Sequence, residues 1–327
     1  MSRIHKILLV FALAVPVASG CDSSDGTTSV VDTAVGDTTG DTTPELDVAV
    51  EVESGDADVG EVVEPVDTAQ DPWVQQLGQA CPAATRVGRF EALHDEYGAY
   101  VAGNISDRID ALQVLVEQEK DGPCVLLQRK NPTCSPGCSK TEQCVRDAGC
   151  QPFPAPMDVG AVTVTGLVLP VTMTAKGANK DYFFTDFDAK AYEQGAHVEL
   201  KAAGGDLTAF ALHGVGVPDL VVSAVDWVMK KNTALTLTWE AAPGPWQVRI
   251  SLNVDQHGLT PVTLVCDVPD SGSYTIPAGL TTALLNYGVS GAATASIERR
   301  TADSVELAPG CVDLLVTSRV RGELLAQ

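Results

Sequence analysis

The sequence predicts a mainly β protein: a C-terminal antiparallel β-sandwich or barrel-like domain, preceded by a small disulfide-rich knuckle and a disordered acidic tether. Three observations predict it. From about residue 157 onward, apolar residues recur with a period of two. Eight cysteines follow residue 80, four of them inside the stretch "TCSPGCSKTEQCVRDAGC". Residues 22–71 carry fifteen Asp or Glu, no Lys or Arg and no aromatic residue.

The N-terminus, "MSRIHKILLVFALAVPVASGC", sets Arg3 and Lys6 before an apolar run from Ile7 to Ala18. That run is well short of the roughly 20 residues a spanning helix needs and matches the core of a signal peptide over residues 1–20. Ala18-Ser19-Gly20-Cys21 resembles the bacterial lipobox. The resemblance implies cleavage before Cys21, diacylglycerol on its sulfur and a second acyl chain such as palmitate on the new amino terminus. Several chains anchor stably where one binds only marginally, so the expected partner here is the membrane, held through lipid. Asp22 after this cysteine resembles a retention signal for the inner membrane, a sorting rule that does not transfer between bacteria, so the leaflet stays open.

Residues 21–72 follow as anchor and tether. The chain has a net charge of −22; without the tether's fifteen negative charges and the two positive ones before it, residues 72–327 carry −9. Such a segment has too little to bury to offset the entropy of ordering. Fifty residues reach roughly 165 Å when stretched and about 40 Å as a coil, which makes a stalk. Its carboxylates lack the spacing and central glycine of a calcium loop, and the negative balance argues against nucleic acid as a partner.

Residues 73–130 read as a small mixed subdomain. "VGRFEALHDEYGAYVAGNI" suits a hairpin turning near Tyr97, Gly98 or Asn104. In "SDRIDALQVLVEQEKDG", Ser106 as N-cap with Ile109, Leu112 and Val116 at helical spacing suggests a helix, although the same residues tolerate a strand.

Residues 131–154 form the knuckle. An even number of cysteines in an exported chain argues for disulfides. The gaps of three, five and five residues within the cluster are not the paired C-x2-C steps of a zinc site. Eight cysteines allow 105 connectivities. An interleaved pattern common in small knuckles pairs Cys134 with Cys144 and Cys138 with Cys150. Cys81 with Cys124 would close the segment before it, and Cys266 with Cys311 would join two strands of the C-terminal domain.

Residues 155–327 form the β-sandwich-like domain. "WQVRISLN" sets Trp246, Val248, Ile250 and Leu252 against Gln247, Arg249 and Ser251. "ALTLTWE" and "GAHVELKA" alternate likewise, and similar runs fall near 161–168, 181–187, 207–213, 261–268, 292–299 and 311–318. Pro277 opens "PAGLTTALLNY" as a short helix.

No segment offers a complete catalytic set. Asp270 in "PDSGSY" resembles the Asp-Ser-Gly of aspartic proteases, but those enzymes need two such aspartates, and a turn explains the motif more cheaply. Asp255 and His257 in "NVDQHG" suit either a metal or acid/base pair or a polar hairpin loop. Trp239 and Trp246 fall on apolar faces, so together with Trp227 they suit core packing better than a sugar-stacking platform. The lipobox at Cys21, the Asp/Thr-rich tether, the "C-S-P-G-C…Q-C-V…C" knuckle and the "C-D-x-x-D-S-G-S" of the C-terminal half resemble a class of lipoproteins of Gram-negative bacteria. That resemblance implies placement in the cell envelope, facing the periplasm or on the surface, and brings no activity with it. The expectation is therefore a lipid-anchored envelope protein without cofactor or metal, displaying a β-domain to a protein or glycan partner. The alternative is a secreted-type hydrolase with its site near Asp255/His257 or Asp270.

Overall fold

The computed structural model describes residues 71–130, 132–254, 261–289 and 291–327. The signal peptide, Cys21, the tether up to residue 70, and Asp255 and His257 lie outside these residues.

The expected hairpin forms from β1 (Arg86–Asp95) and β2 (Gly98–Ile105), with Asp95 opposite Gly98. Gly98 adopts φ +133°, a conformation that side chains resist. Phe90 lies over Gly103 so closely that a Cβ there would overlap its ring. The stretch that follows departs from the expected helix. Asp110 Oδ1 accepts a hydrogen bond from Leu112 N at 2.9 Å, while buried Gln143 accepts from Ala111 N at 2.8 Å and donates to Ile109 O at 3.1 Å. These bonds fix a turn with the backbone groups a helix would have used. β3 (Leu115–Asp121) and β4 (Cys124–Arg129) then form a second hairpin.

β5 (Glu142–Val145) and β6 (Gly149–Pro152) make the knuckle, stapled by Cys134–Cys144 and Cys138–Cys150 as the interleaved pattern has them. Beyond it come β7 (Val162–Thr165), β8 (Val171–Met173), β9 (Tyr182–Phe184), β10 (His197–Ala202), β11 (Phe210–Val215) and β12 (Asp226–Met229). β13 (Leu235–Thr238), β14 (Gln247–Val254), β15 (Val262–Pro269), β16 (Ser273–Ile276), the helix α1 (Ala278–Asn286), and the long hairpin β17 (Thr294–Leu307) and β18 (Gly310–Ala326) complete the chain.

One ten-stranded sheet organises these elements, in the order β3-β4-β15-β14-β17-β18-β1-β2-β9, with β12 also pairing β18. Residues 73–130 are therefore not a separate subdomain: β1 and β2 extend one side of the sheet and β3 and β4 the other. Most neighbours run antiparallel, as expected, but β1 and β12 pair parallel with the first and last parts of β18.

Side chains alternate across a strand, so the sheet has an inner face and an outer face. The inner face carries two cores. Phe90, Val101, Leu314 and Val316 pack against the four-stranded sheet β11-β10-β7-β8 through residues such as Leu200 and Leu212. Farther along, Ile250, Leu264 and Ile297 pack with α1, β12 and the β13–β16 pair through Leu284, Met229 and Leu237. Burial of each such side chain contributes about 1.5–3 kcal/mol. Trp239 and Trp246 are buried as their alternation requires, and Trp227 joins them.

The two remaining disulfides correct the expected pairing. Cys81 joins Cys311, because parallel pairing of β1 with β18 places Arg86 opposite Cys311. Cys124 joins Cys266, because β4 and β15 make these residues direct cross-strand partners with Cα atoms 4.0 Å apart. Neither Cys81–Cys124 nor Cys266–Cys311 is present. Before Cys81, the chain straps the edge of the body. Trp73 stacks on His197, meets His213 edge-on and donates to Gly214 O at 2.9 Å. Cys81 N then donates to Asp313 Oδ2 at 3.1 Å.

Candidate functional site

Between the two inner cores lies a polar seam. Arg299, 1% exposed, donates to both carboxylate oxygens of Asp270 and to the carbonyls of Pro218, Asp219 and Glu240. Trp239 Nε1 donates to Asp270 Oδ1 at 2.6 Å and Ala242 N to Oδ2 at 3.3 Å. The Asp-Ser-Gly turn thus supplies a carboxylate that neutralises a buried arginine, with its acceptor positions occupied. That is a structural arrangement, since an unpaired charge there would be strongly destabilising.

His94, Ser318 and Asp219 meet at the same seam. His94 and Ser318 are register partners on β1 and β18, and His94 Nε2 lies 3.1 Å from Asp219 Oδ1. The contact to Asp219 is poorly aligned, so neither ring nitrogen is hydrogen-bonded among the described residues. Burial pulls the His94 imidazole below its ordinary value, opposed by Asp219. Ser318 Oγ accepts from Leu220 N at 2.9 Å. Both side chains are buried, and the ring of Tyr192 lies 4.7 Å from that of His94. This grouping joins the cores and lines none of the grooves described below.

The outer face has a different chemistry. Arg89 forks onto Asp313 at 2.8 Å through two nitrogens, and Arg249 forks onto Asp267 at 2.8 and 2.6 Å. Arg300 also reaches Asp267, at 2.9 Å. Burial opposes the charge of Asp267, but Arg249 and Arg300 outweigh it and hold the carboxyl below its usual range. On β1 and β2, Tyr100 donates to Glu91 Oε2 at 3.3 Å, and Arg319 reaches Asp95 at 2.9 Å. Burial, reinforced by Glu298, pushes the Glu91 carboxyl up.

Two of the grooves that open on this face share Arg89 and Asn104. One, of about 660 Å³, runs past Glu91, Tyr100 and Phe183 to Lys176 and Asp181. Tyr100 and Phe183 lie 6.3 Å apart, and Phe183 is 50% exposed. The other, of about 400 Å³, is lined by Arg86, Arg108, Ser106 and Gln113. Charged walls beside a pair of accessible rings suit a polar ligand carrying a flat apolar surface.

The structure thus brings Asp270 into the seam and leaves the grooves to residues that were not foreseen as a site: Arg86, Arg89, Glu91, Tyr100, Asn104, Arg108 and Phe183. The signal was present in "RVGRFEALHD", where Arg89 and Glu91 alternate with Phe90 and Ala92. Among the described residues the cysteine sulfurs near one another, those of Cys134, Cys138 and Cys150, are all in disulfides. No helix among these residues is long and apolar enough to cross a membrane.

No protein-family model and no curated protein matches the chain. Among solved structures, the chicken CNTN1 FN1–FN3 domains align with 69% of this chain and 78% of their own, at 8% identity and a TM-score of 0.17. At that score the likeness carries no argument about fold or function.

Proposed function

We propose that the protein is a binding module of the bacterial cell envelope, anchored by lipid on Cys21, displayed on the acidic tether and without catalytic activity. The observation that supports this reading most is the outer face of the ten-stranded sheet, where two grooves adjoin at Arg89 and Asn104 and one of them runs past the exposed ring of Phe183. The inner face is occupied by both cores. The anchor rests on the lipobox, and the tether would hold the body roughly 40 Å from its membrane.

The test is a pull-down from envelope extract with the oxidised chain from residue 22 as bait. A specific protein or glycan should be recovered, and recovery should fall with a bait carrying Phe183→Ala and Tyr100→Ala. Equal recovery by bare resin would contradict the reading. Intact mass of the cell-derived protein tests the anchor: a diacylated, N-acylated Cys21 terminus is expected, and an unprocessed Met1 would remove it.

A further inference from the structure

The arginines of the outer face are not all paired alike. At the end of the face where the strap crosses, Arg86, Arg89, Arg249 and Arg300 gather around two forked carboxylates, Asp313 and Asp267. Glu298, which acts on Arg89 and Arg300, and Glu91, which acts on Arg89, are two further negative groups. Four positive charges stand against four negative ones, in a body whose net charge is −9, and what separates the cations is which of them are hydrogen-bonded.

Among the described residues, one of the four cations is left without a hydrogen-bonded partner. The guanidinium of Arg86 makes no hydrogen bond among the described residues, although it is half-buried in the wall of the 400 Å³ groove. Asp313, the carboxylate that acts on it, already holds the fork of Arg89 and the N–H of Cys81. Arg108, also in the lining, is forked to Asp107 at 3.1 and 2.7 Å, and Asp110 is the carboxylate that the lining itself holds. Buried Arg300 leaves its Nε without a partner, another donor in the same cluster. Burial, with Arg249 beside it, pulls the Arg300 guanidinium down to about 10.

A guanidinium fork matches a carboxylate or phosphate in shape. Beside Arg86 and Arg89, through Asn104, the groove continues to Tyr100 and Phe183, which present rings suited to the apolar face of a sugar. Building on the binding-module reading, we infer that the joined grooves bind an acidic oligosaccharide, with a carboxylate of the sugar seated on Arg86 and an adjoining ring on Tyr100 and Phe183. The free fork of Arg86 selects the acid, and the rings separate a saccharide from a small inorganic anion.

Isothermal titration of the oxidised chain from residue 22 with trigalacturonate, its methyl ester and inorganic phosphate tests the inference. Trigalacturonate should bind, with the ester and phosphate at least tenfold weaker. Arg86→Gln should weaken the acid at least tenfold and leave the ester unchanged. Arg86→Lys, which keeps the charge and loses the fork, should recover part of the loss. Unfolding curves and four intact disulfides check that the variants are folded. Equal binding of acid and ester, equal binding of phosphate, unchanged affinity in Arg86→Gln or no binding of trigalacturonate would each overturn the inference. A partner recovered equally by wild type and Arg86→Gln would overturn it while leaving the binding-module reading in place.

Discussion

The two faces of the ten-stranded sheet use arginine in opposite ways. On the inner face, Arg299 is closed in by Asp270 and three carbonyls, and its role is to let two apolar cores meet without an orphaned charge. On the outer face, Arg89 and Arg249 are also forked to carboxylates, yet Arg89 borders open grooves and Arg86 keeps its donors free. The same side chain is architectural where its acceptors are complete and available to a ligand where they are not. The difference follows from burial and partner count rather than from residue type.

The largest expected effect comes from breaking the inner side of this contrast. Arg299→Met leaves Asp270 buried without its cation and should lower stability by about 3–5 kcal/mol, measured by urea unfolding. Replacing Cys81 and Cys311 together by Ala should cost about 2–5 kcal/mol. It should also raise protease cleavage within residues 74–84, because the strap then depends on Trp73 and a few hydrogen bonds. Removing both knuckle disulfides should open residues 132–152 to exchange while the unfolding midpoint of the body shifts by only a few degrees, since neither core includes the knuckle.

A smaller effect concerns pH. Burial depresses the pKa of His94 from 6.5, so the unfolded chain takes up a proton that the folded chain resists. The contribution of His94 is therefore complete above about pH 6.5 and is lost as pH falls towards its folded pKa. Glu91, raised from 4.5, tilts part of the same window the other way. The difference between wild type and His94→Asn isolates the histidine: its stability gap should narrow between pH 7 and 5. A constant gap would show that His94 titrates normally. Smallest of all, Arg86→Gln should move stability by less than about 0.5 kcal/mol, as a surface change that breaks no hydrogen bond does.

How much of this was legible in the chain depends on how locally each feature is determined. β14 and β15 have one buried face and one polar face, so Val248, Ile250 and Leu252 declare a strand by themselves. The Tyr97–Gly98 turn and the helix after Pro277 are equally local. Residues 106–122 fit a helix or a strand by spacing alone, and the bonds that decide for the turn before β3 come from Gln143 in the knuckle. The Cys81–Cys311 pair was illegible for a related reason: it depends on parallel pairing between the first strand and the last, 230 residues apart. The grooves needed that same pairing, since Arg89 and Asp313 meet only when β1 lies along β18. Asp270 was read as a turn residue, and its position two strands away from Arg299 explains why its partner did not show.

The claim that the outer face is the ligand-reading side can be tested most directly by amide hydrogen exchange of the oxidised chain with and without trigalacturonate. Slowed exchange should map to residues 86–108 and 176–184, with α1 and the β13–β16 pair unchanged. Protection confined to the knuckle or to α1, or none in residues 86–108 at saturating sugar, would contradict the account.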